Sequence, residues 1–266
     1  MGEAETVLTE VRGAVGTITF NRPERRNALS PDMLIRLHEI LTAWAGGGEI
    51  RAVVITGSGD KAFSSGYDIL AIPTNLTPET ERLLRDSNAL ELGLRSVKQF
   101  PYPVIAMLNG HCFGGALNLA LCCDLRIGVD DIAVGMPPAK LGVVYPAEGV
   151  AQLVEVAGMA HAREILFTGR TYRGEEALMM RLVDRLVPRA ELRAATYALA
   201  DEIAGNAPLA LRGLKRILNL IEAAAPLSVE ARHEAESLVA AALASEDVQE
   251  GQMAFLEKRP PRFVGR

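Results

Sequence analysis

Residues 101–129 read PYPVIAMLNGHCFGGALNLALCCDLRIGV. The run VIAML is apolar without a polar break, as in a short strand buried on both faces. Asn109 and Gly110 end it. The glycine pair Gly114 and Gly115 then opens a second apolar run, ALNLALCC, which reads as the first turns of a buried helix. CDLRIGV follows as another short strand. One amide, Asn118, sits in the helix just past the glycines, where its side chain should face whatever the glycines hold.

The same order recurs outward from this stretch. ETVLTEVRGAVGTITFNRP alternates polar and apolar residues around a glycine turn, so a β-hairpin is predicted over Glu5–Arg12 and Val15–Phe20. LSPDMLIRLHEILTAWA places a Ser cap at Ser30, Pro31 at the first helical position and apolar residues at Met33, Leu34, Leu37, Ile40 and Leu41, and GGGE ends that helix. IRAVVITGSG is a second buried strand with a glycine exit, and PETERLLRDSNALELGLRSVKQF is helical. Strand, corner and helix thus repeat with a rough period, which predicts successive turns of a ββα spiral.

From Gly149 onward the chain turns mostly helical. GVAQLVEVAG, AHAREILFTG and GEEALMM are short helices, and LVDRLVP is a strand. Four further helices are predicted around 189–205, 208–223, 228–244 and 246–257. Their amphipathic, alanine-rich faces are the kind that pack within the chain or between subunits. The fold class is α/β, with a spiral core over 1–200 and a C-terminal helical region over 201–266 in the same functional domain.

The 266 residues are 49% hydrophobic and only 5% aromatic, so Ala, Leu, Val and Ile must build the core of one large α/β domain. A net charge of −5 without a dense Lys/Arg block disfavours nucleic acid, since phosphate neutralisation needs a basic patch. Cys112, Cys122 and Cys123 lack CxxC spacing and read as small buried residues, with neither a metal nor a redox role. Reduced thiols fit a cytoplasmic protein. The sequence shows no signal peptide and no apolar run of membrane length.

Two corners carry the chemistry. In AFSSGYDI (62–69), Gly66 lets the backbone approach a ligand, and the next N–H, on Tyr67, can point into a pocket. In NGHCFGGALNLA (109–120), Gly114 and Gly115 precede a helix whose first N–H groups are unpaired and carry the positive end of its dipole. Two such amides converging on one oxygen form an oxyanion hole, a site for a carbonyl oxygen that becomes negative.

FNRPERRNALS, AFSSGYDI, NGHCFGGALNLALCCDLRI, LVDRLVP and SEDVQEGQMAFLEKRPPRF occur in the order and spacing of the enoyl-CoA hydratase/isomerase (crotonase) superfamily, which the chain resembles from about Thr6 to Phe263. The resemblance implies a crotonase-like ββα spiral with a C-terminal helical trimerisation region, as a homotrimer or dimer of trimers. It implies that the amides of Tyr67 and Gly115 hold the thioester oxygen of an acyl-CoA. It places Arg25 and Arg26 near the CoA phosphates, the backbone at Ala28 and Ser65 at the adenine, and Ile69 along the same channel. Lys258 and Phe263 would reach a neighbouring subunit's CoA. No cofactor is implied beyond the CoA of the substrate, and no metal.

Family hydratases hold a water between two glutamates. Asn118 and Pro138 occupy those positions, and neither exchanges a proton. The remaining candidates are Tyr67, Lys140, Tyr145, Glu148 and His111. Lys140 reads as a surface residue, His111 as a hydrogen-bonded scaffold residue, Tyr145 as pocket lining, and Glu148 as a helix-start acid or the base of an isomerase. KLGVVYPAEG and the C-terminal tail resemble the methylmalonyl-CoA decarboxylase-type subset, although the histidine and glutamate expected there stand here as Tyr67 and Asn118. Three readings stay open at this point. They are a malonyl-type acyl-CoA decarboxylase in which Asn118 orients the leaving carboxylate, an isomerase or atypical hydratase using Glu148 or Tyr145, and a non-catalytic acyl-CoA- or RNA-binding homologue.

Overall fold

A computed structural model of the chain describes residues 5–68, 89–222 and 229–262. Ile69, Phe263, the start of the helix proposed over 78–100 and the link at 223–228 lie outside the described residues.

The hairpin forms with β1 (Val7–Arg12) antiparallel to β2 (Val15–Phe20). Parallel pairing then extends the sheet through β3 (Ala52–Gly57), β5 (Val104–Leu108), β7 (Leu125–Val129) and β10 (Arg185–Val187), in the order β1-β2-β3-β5-β7-β10. Ile18 faces Ile55, and Val53 faces Val104 in this register. Every residue of β3 and β5 is buried, as uninterrupted apolar strands in a covered parallel sheet require. A second sheet joins β4 (Ala62–Ser64), β6 (His111–Phe113), β8 (Ala133–Gly135) and β9 (Tyr172–Arg173), in the order β4-β6-β8-β9.

Helix α1 (Pro31–Gly47) starts where Ser30 Oγ accepts from the Met33 N–H at 3.4 Å, and it buries Met33, Leu34, Leu37, Ile40 and Leu41. Helix α2 (Ala89–Gln99) crosses it at Gly93, where a Cβ would come within 2.8 Å of Leu34. Helix α3 (Gly115–Cys122) is buried along its whole length. Then follow α4 (Ala147–Ala157), α5 (Met159–Thr168) and α6 (Glu175–Met179). Helix α7 (Leu192–Ala204) lies over β3, β5 and β7, and its Tyr197 hydroxyl meets Thr17 Oγ1 of β2 at 2.7 Å. The division placed at residue 200 falls inside α7, because Ala200 and Ala204 bury one continuous face. The chain ends in α8 (Pro208–Glu222), α9 (Val229–Leu243) and α10 (Glu246–Glu257). No helix among the described residues is long and apolar enough to cross a membrane.

A buried cation ties α8 to the sheet. Lys215 Nζ donates to Asp124 Oδ2 at 2.7 Å and to the Tyr102 carbonyl at 3.0 Å, and the same Asp124 oxygen accepts the Val104 N–H at 2.7 Å. Lys215 is 5% exposed, and Leu209, Leu214, Ile217 and Ile221 of the same helix face outward. Lys215→Ala strands a half-buried carboxylate and is expected to cost about 2–3 kcal/mol, read as a lower urea midpoint. Arg36→Ala, which breaks an exposed pair with Glu39, is expected to change stability by less than about 0.5 kcal/mol.

Candidate active site

The two glycine corners lie at the ends of neighbouring strands. β4 pairs in parallel with β6, with Ala62 opposite His111 and Ser64 opposite Cys112. Their exits, Ser65-Gly66-Tyr67 and Gly114-Gly115, therefore emerge side by side. Gly66 has φ +109°, a conformation that side chains rarely adopt, and a Cβ there would lie 2.8 Å from the Phe113 carbonyl oxygen. Gly114 has φ +53° and ψ −126°, and its N–H extends the β6–β8 ladder to the Gly135 carbonyl at 2.9 Å. Gly115 follows as the first residue of α3. A Cβ on it would lie 3.4 Å from the Tyr67 nitrogen.

Tyr67 also bridges Leu29. The Leu29 N–H donates to the Gly66 carbonyl at 2.8 Å, and the Asp68 N–H donates to the Leu29 carbonyl at 2.9 Å. Its neighbours use the Leu29 side, so the Tyr67 N–H faces the other way. Among the described residues, neither the Tyr67 nor the Gly115 N–H donates to a protein acceptor. Two adjacent amides with open donors, one at the positive end of a helix, form an arrangement that can stabilise an anionic oxygen.

The turn at 22–29 is fastened to the first corner. The Ser65 N–H donates to the Arg26 carbonyl at 2.9 Å, and Ser65 Oγ to the Arg25 carbonyl at 3.4 Å. Arg22 Nη1 donates to the Ala28 carbonyl at 3.1 Å, and both Arg22 and Arg25 approach Asp68. Arg25, Arg26, Ala28 and Ser65 are therefore brought together. Asn27, which sequence reasoning passed over, is the pin. It is buried at φ +55°, its Nδ2 donates to the Ser58 and Ala62 carbonyls, and its Oδ1 accepts from the Arg22 N–H and Ser58 Oγ. The signal was available, because asparagine tolerates the left-handed region better than other side chains do.

Asn118 lies one helical turn beyond Gly115 and is 1% exposed. Its Nδ2 donates to Gln152 Oε1 of α4 at 2.6 Å. Its Oδ1 faces Gly149, where a Cβ would lie 2.7 Å from it and 3.0 Å from Tyr145 Cδ1. Asn118 and Tyr145 thus share one wall. Gln152 was also missed, though a glutamine on the apolar face of GVAQLVEVA is a visible anomaly. Leu90 of α2 adds an apolar contact, 3.4 Å from the Gly115 Cβ position.

Other candidates fall further out. Glu148 is in the first turn of α4, with its side chain exposed. Pro138 is buried at the start of a 3-10 turn, Pro138–Leu141, against which α10 packs through Gly251. Lys140 is exposed, as expected. Lys258 is exposed at the end of α10 in the left-handed conformation, φ +55°. The reading of His111 as a hydrogen-bonded scaffold residue needs correction. Its main-chain N–H donates to Lys61, but its buried Nδ1 has no partner and the ring stacks obliquely beside Phe113.

Burial sets the protonation states. The Tyr145 phenol is pushed well above its ordinary pKa by desolvation and then by Cys112 nearby. The Tyr67 phenol is raised by burial and by Asp68. His111 is lowered by burial, then by Arg26 and Arg173. Cys112 and Cys122 are raised by burial, Cys122 to about 12, which keeps the thiols protonated. Gly66→Ala is expected to cost about 1–3 kcal/mol through backbone strain, seen as a lower urea midpoint. Gly46→Ala, with nothing within 4 Å of its Cβ position inside α1, is expected to be neutral or stabilising.

The enoyl-CoA hydratase/isomerase family model matches residues 10–266. Carnitinyl-CoA dehydratase of Escherichia coli strain K12 is 33% identical over 266 residues, which cover 99% of this chain and 100% of that protein. A methylmalonyl-CoA decarboxylase in complex with 2-nitronate-propionyl-CoA is similar in structure, with a TM-score of 0.90 at 32% identity, covering 98% of this chain and 99% of that one. An enoyl-CoA hydratase from Bacillus anthracis reaches a TM-score of 0.75 at 30% identity, covering 98% and 100%. The mixed α/β spiral is shared by these structures, and the chain belongs to the enoyl-CoA hydratase/isomerase family, whose members act on acyl-CoA thioesters.

Proposed function

We propose that this protein is a lyase that decarboxylates a malonyl-type acyl-CoA such as methylmalonyl-CoA. One observation carries the reading: the two positions where family hydratases hold glutamates are Asn118 and Pro138, while the two corner amides remain side by side. The closer structural likeness to a methylmalonyl-CoA decarboxylase than to a hydratase supports it.

In this reading the Tyr67 and Gly115 amides grip the thioester oxygen. The bond from the α-carbon to the carboxylate breaks, CO₂ leaves, and its electron pair passes into the thioester to form an enolate. The negative charge gathers on the gripped oxygen, where amides fixed before the reaction need not reorient. A proton from water then reaches the α-carbon. No protein base removes a proton, so an amide at 118 loses nothing. An amide there can hydrogen-bond the substrate's own carboxylate without placing a second charge beside it. Asn118 has its second Nδ2 hydrogen left to meet the acyl group, and the protonated phenols of Tyr67 and Tyr145 remain donors that can orient the carboxylate or pass the quenching proton.

Arg25, Arg26, Ala28 and Ser65 are the proposed CoA cradle, extended by Ile69, with Lys258 and Phe263 contributed across a subunit boundary. Homotrimer formation, or a dimer of trimers, belongs to the same proposal. The outward apolar residues of α8 support self-association. A second reading, an isomerase or atypical hydratase using Glu148 or Tyr145, draws on the 33% identity to a dehydratase.

The test is a panel of malonyl-, enoyl- and hydroxyacyl-CoA thioesters followed by mass spectrometry. The expected result is loss of CO₂ from a malonyl-type thioester, with kcat flat from about pH 7 to 9, since the raised phenols stay protonated and Asn118 and Pro138 cannot titrate. Intact malonyl thioesters with turnover of crotonyl-CoA or a 3-enoyl-CoA would establish the second reading instead.

A further inference from the structure

Gln152 is a polar residue in the wrong place for packing alone. It lies on the buried face of α4 beside Leu153 and is 7% exposed. A methionine would fill the same volume without polar atoms to satisfy. Both ends of the amide instead meet polar partners. Its Oε1 accepts from Asn118 Nδ2 at 2.6 Å and from Cys122 Sγ at 3.1 Å, and its Nε2 donates to the same sulfur at 2.8 Å. Asn118 and Cys122 are four residues apart on α3, so both face α4.

An asparagine amide has nearly the same shape when flipped, but its donor and acceptor change places. In a buried site each orientation is held only by its partners. Here Gln152 Oε1 takes Nδ2, which leaves Oδ1 beside Gly149 and the Tyr145 ring. Glycine at 149 keeps the space that Oδ1 occupies, since a Cβ would lie 2.7 Å from it. We propose that Gln152 is a positioning residue that sets the direction of the Asn118 amide, and so decides whether the acyl pocket presents a donor or an acceptor to the substituent on the α-carbon. The proposal rests on the reading that Asn118 faces the acyl group.

Two variants separate this role from simple packing. Gln152→Met keeps the volume and removes the acceptor. Gln152→Glu keeps an acceptor oxygen for Nδ2. With whichever thioester the wild-type enzyme turns over, Gln152→Met is expected to lower kcat about tenfold, the worth of one net hydrogen bond, with KM changed less than about twofold. Gln152→Glu is expected to stay within about threefold of wild type. Calorimetry with two unreactive thioethers, 2-carboxypropyl-CoA and propyl-CoA, supplies a readout that needs no turnover. The ratio of their affinities is expected to move toward one in Gln152→Met and to be kept in Gln152→Glu. An unmoved ratio in a folded Gln152→Met protein overturns the proposal. So does an equal loss of activity in both variants that tracks an equal loss of thermal stability. Absence of turnover with malonyl-type thioesters, by contrast, sinks the decarboxylase reading and leaves the affinity ratio to judge Gln152.

Discussion

The parallel pairing of β4 with β6 is the constraint on which the site depends. Each strand is three residues long, and each hands the chain straight into a glycine corner. Pairing Ser64 with Cys112 sets the corners in register, so the Tyr67 and Gly115 amides become neighbours across the 47 residues between them. The large sheet serves this arrangement from below. β3 and β5 pair in the same parallel sense, and each runs on into the small sheet as β4 or β6. The 22–29 turn, pinned by Asn27, holds the outer side of the first corner.

Within that frame the buried polar side chains beside the second corner do not readily ionise. Asn118 carries an amide, and burial keeps the Tyr145 phenol protonated. A pocket built this way can orient a substrate and gather charge on one oxygen, but it is poorly equipped to take a proton from carbon. Such a division favours bond cleavage in which the departing group carries the carboxylate away as CO₂. The Gln152 contact extends the same logic outward, because an uncharged group must be aimed if it is to discriminate.

Much of this was legible in the residues. The hairpin, the Ser30-Pro31 helix start and the run of C-terminal helices follow from local patterns strong enough to survive tertiary context. Both corners were readable from their glycines. The second sheet was not, because strands of two or three residues carry no periodicity, and their pairing is set by the large sheet beneath. The helix predicted around 189–205 forms as α7 and ends at Ala204, so a division drawn at 200 cuts through it. His111 misled because a histidine beside a glycine corner suggests a hydrogen-bonded ring, whereas here its Nδ1 lacks a partner. Gln152 and Asn27 were missed because their importance lies in partners 30 or more residues away.

The central claim is that two main-chain amides polarise one thioester oxygen. Difference infrared spectroscopy of bound propionyl-CoA, with ¹³C at the thioester carbonyl, tests it directly. The account requires the labelled C=O stretch to fall to lower frequency on binding than it has in water. A stretch at or above its value in water would contradict it.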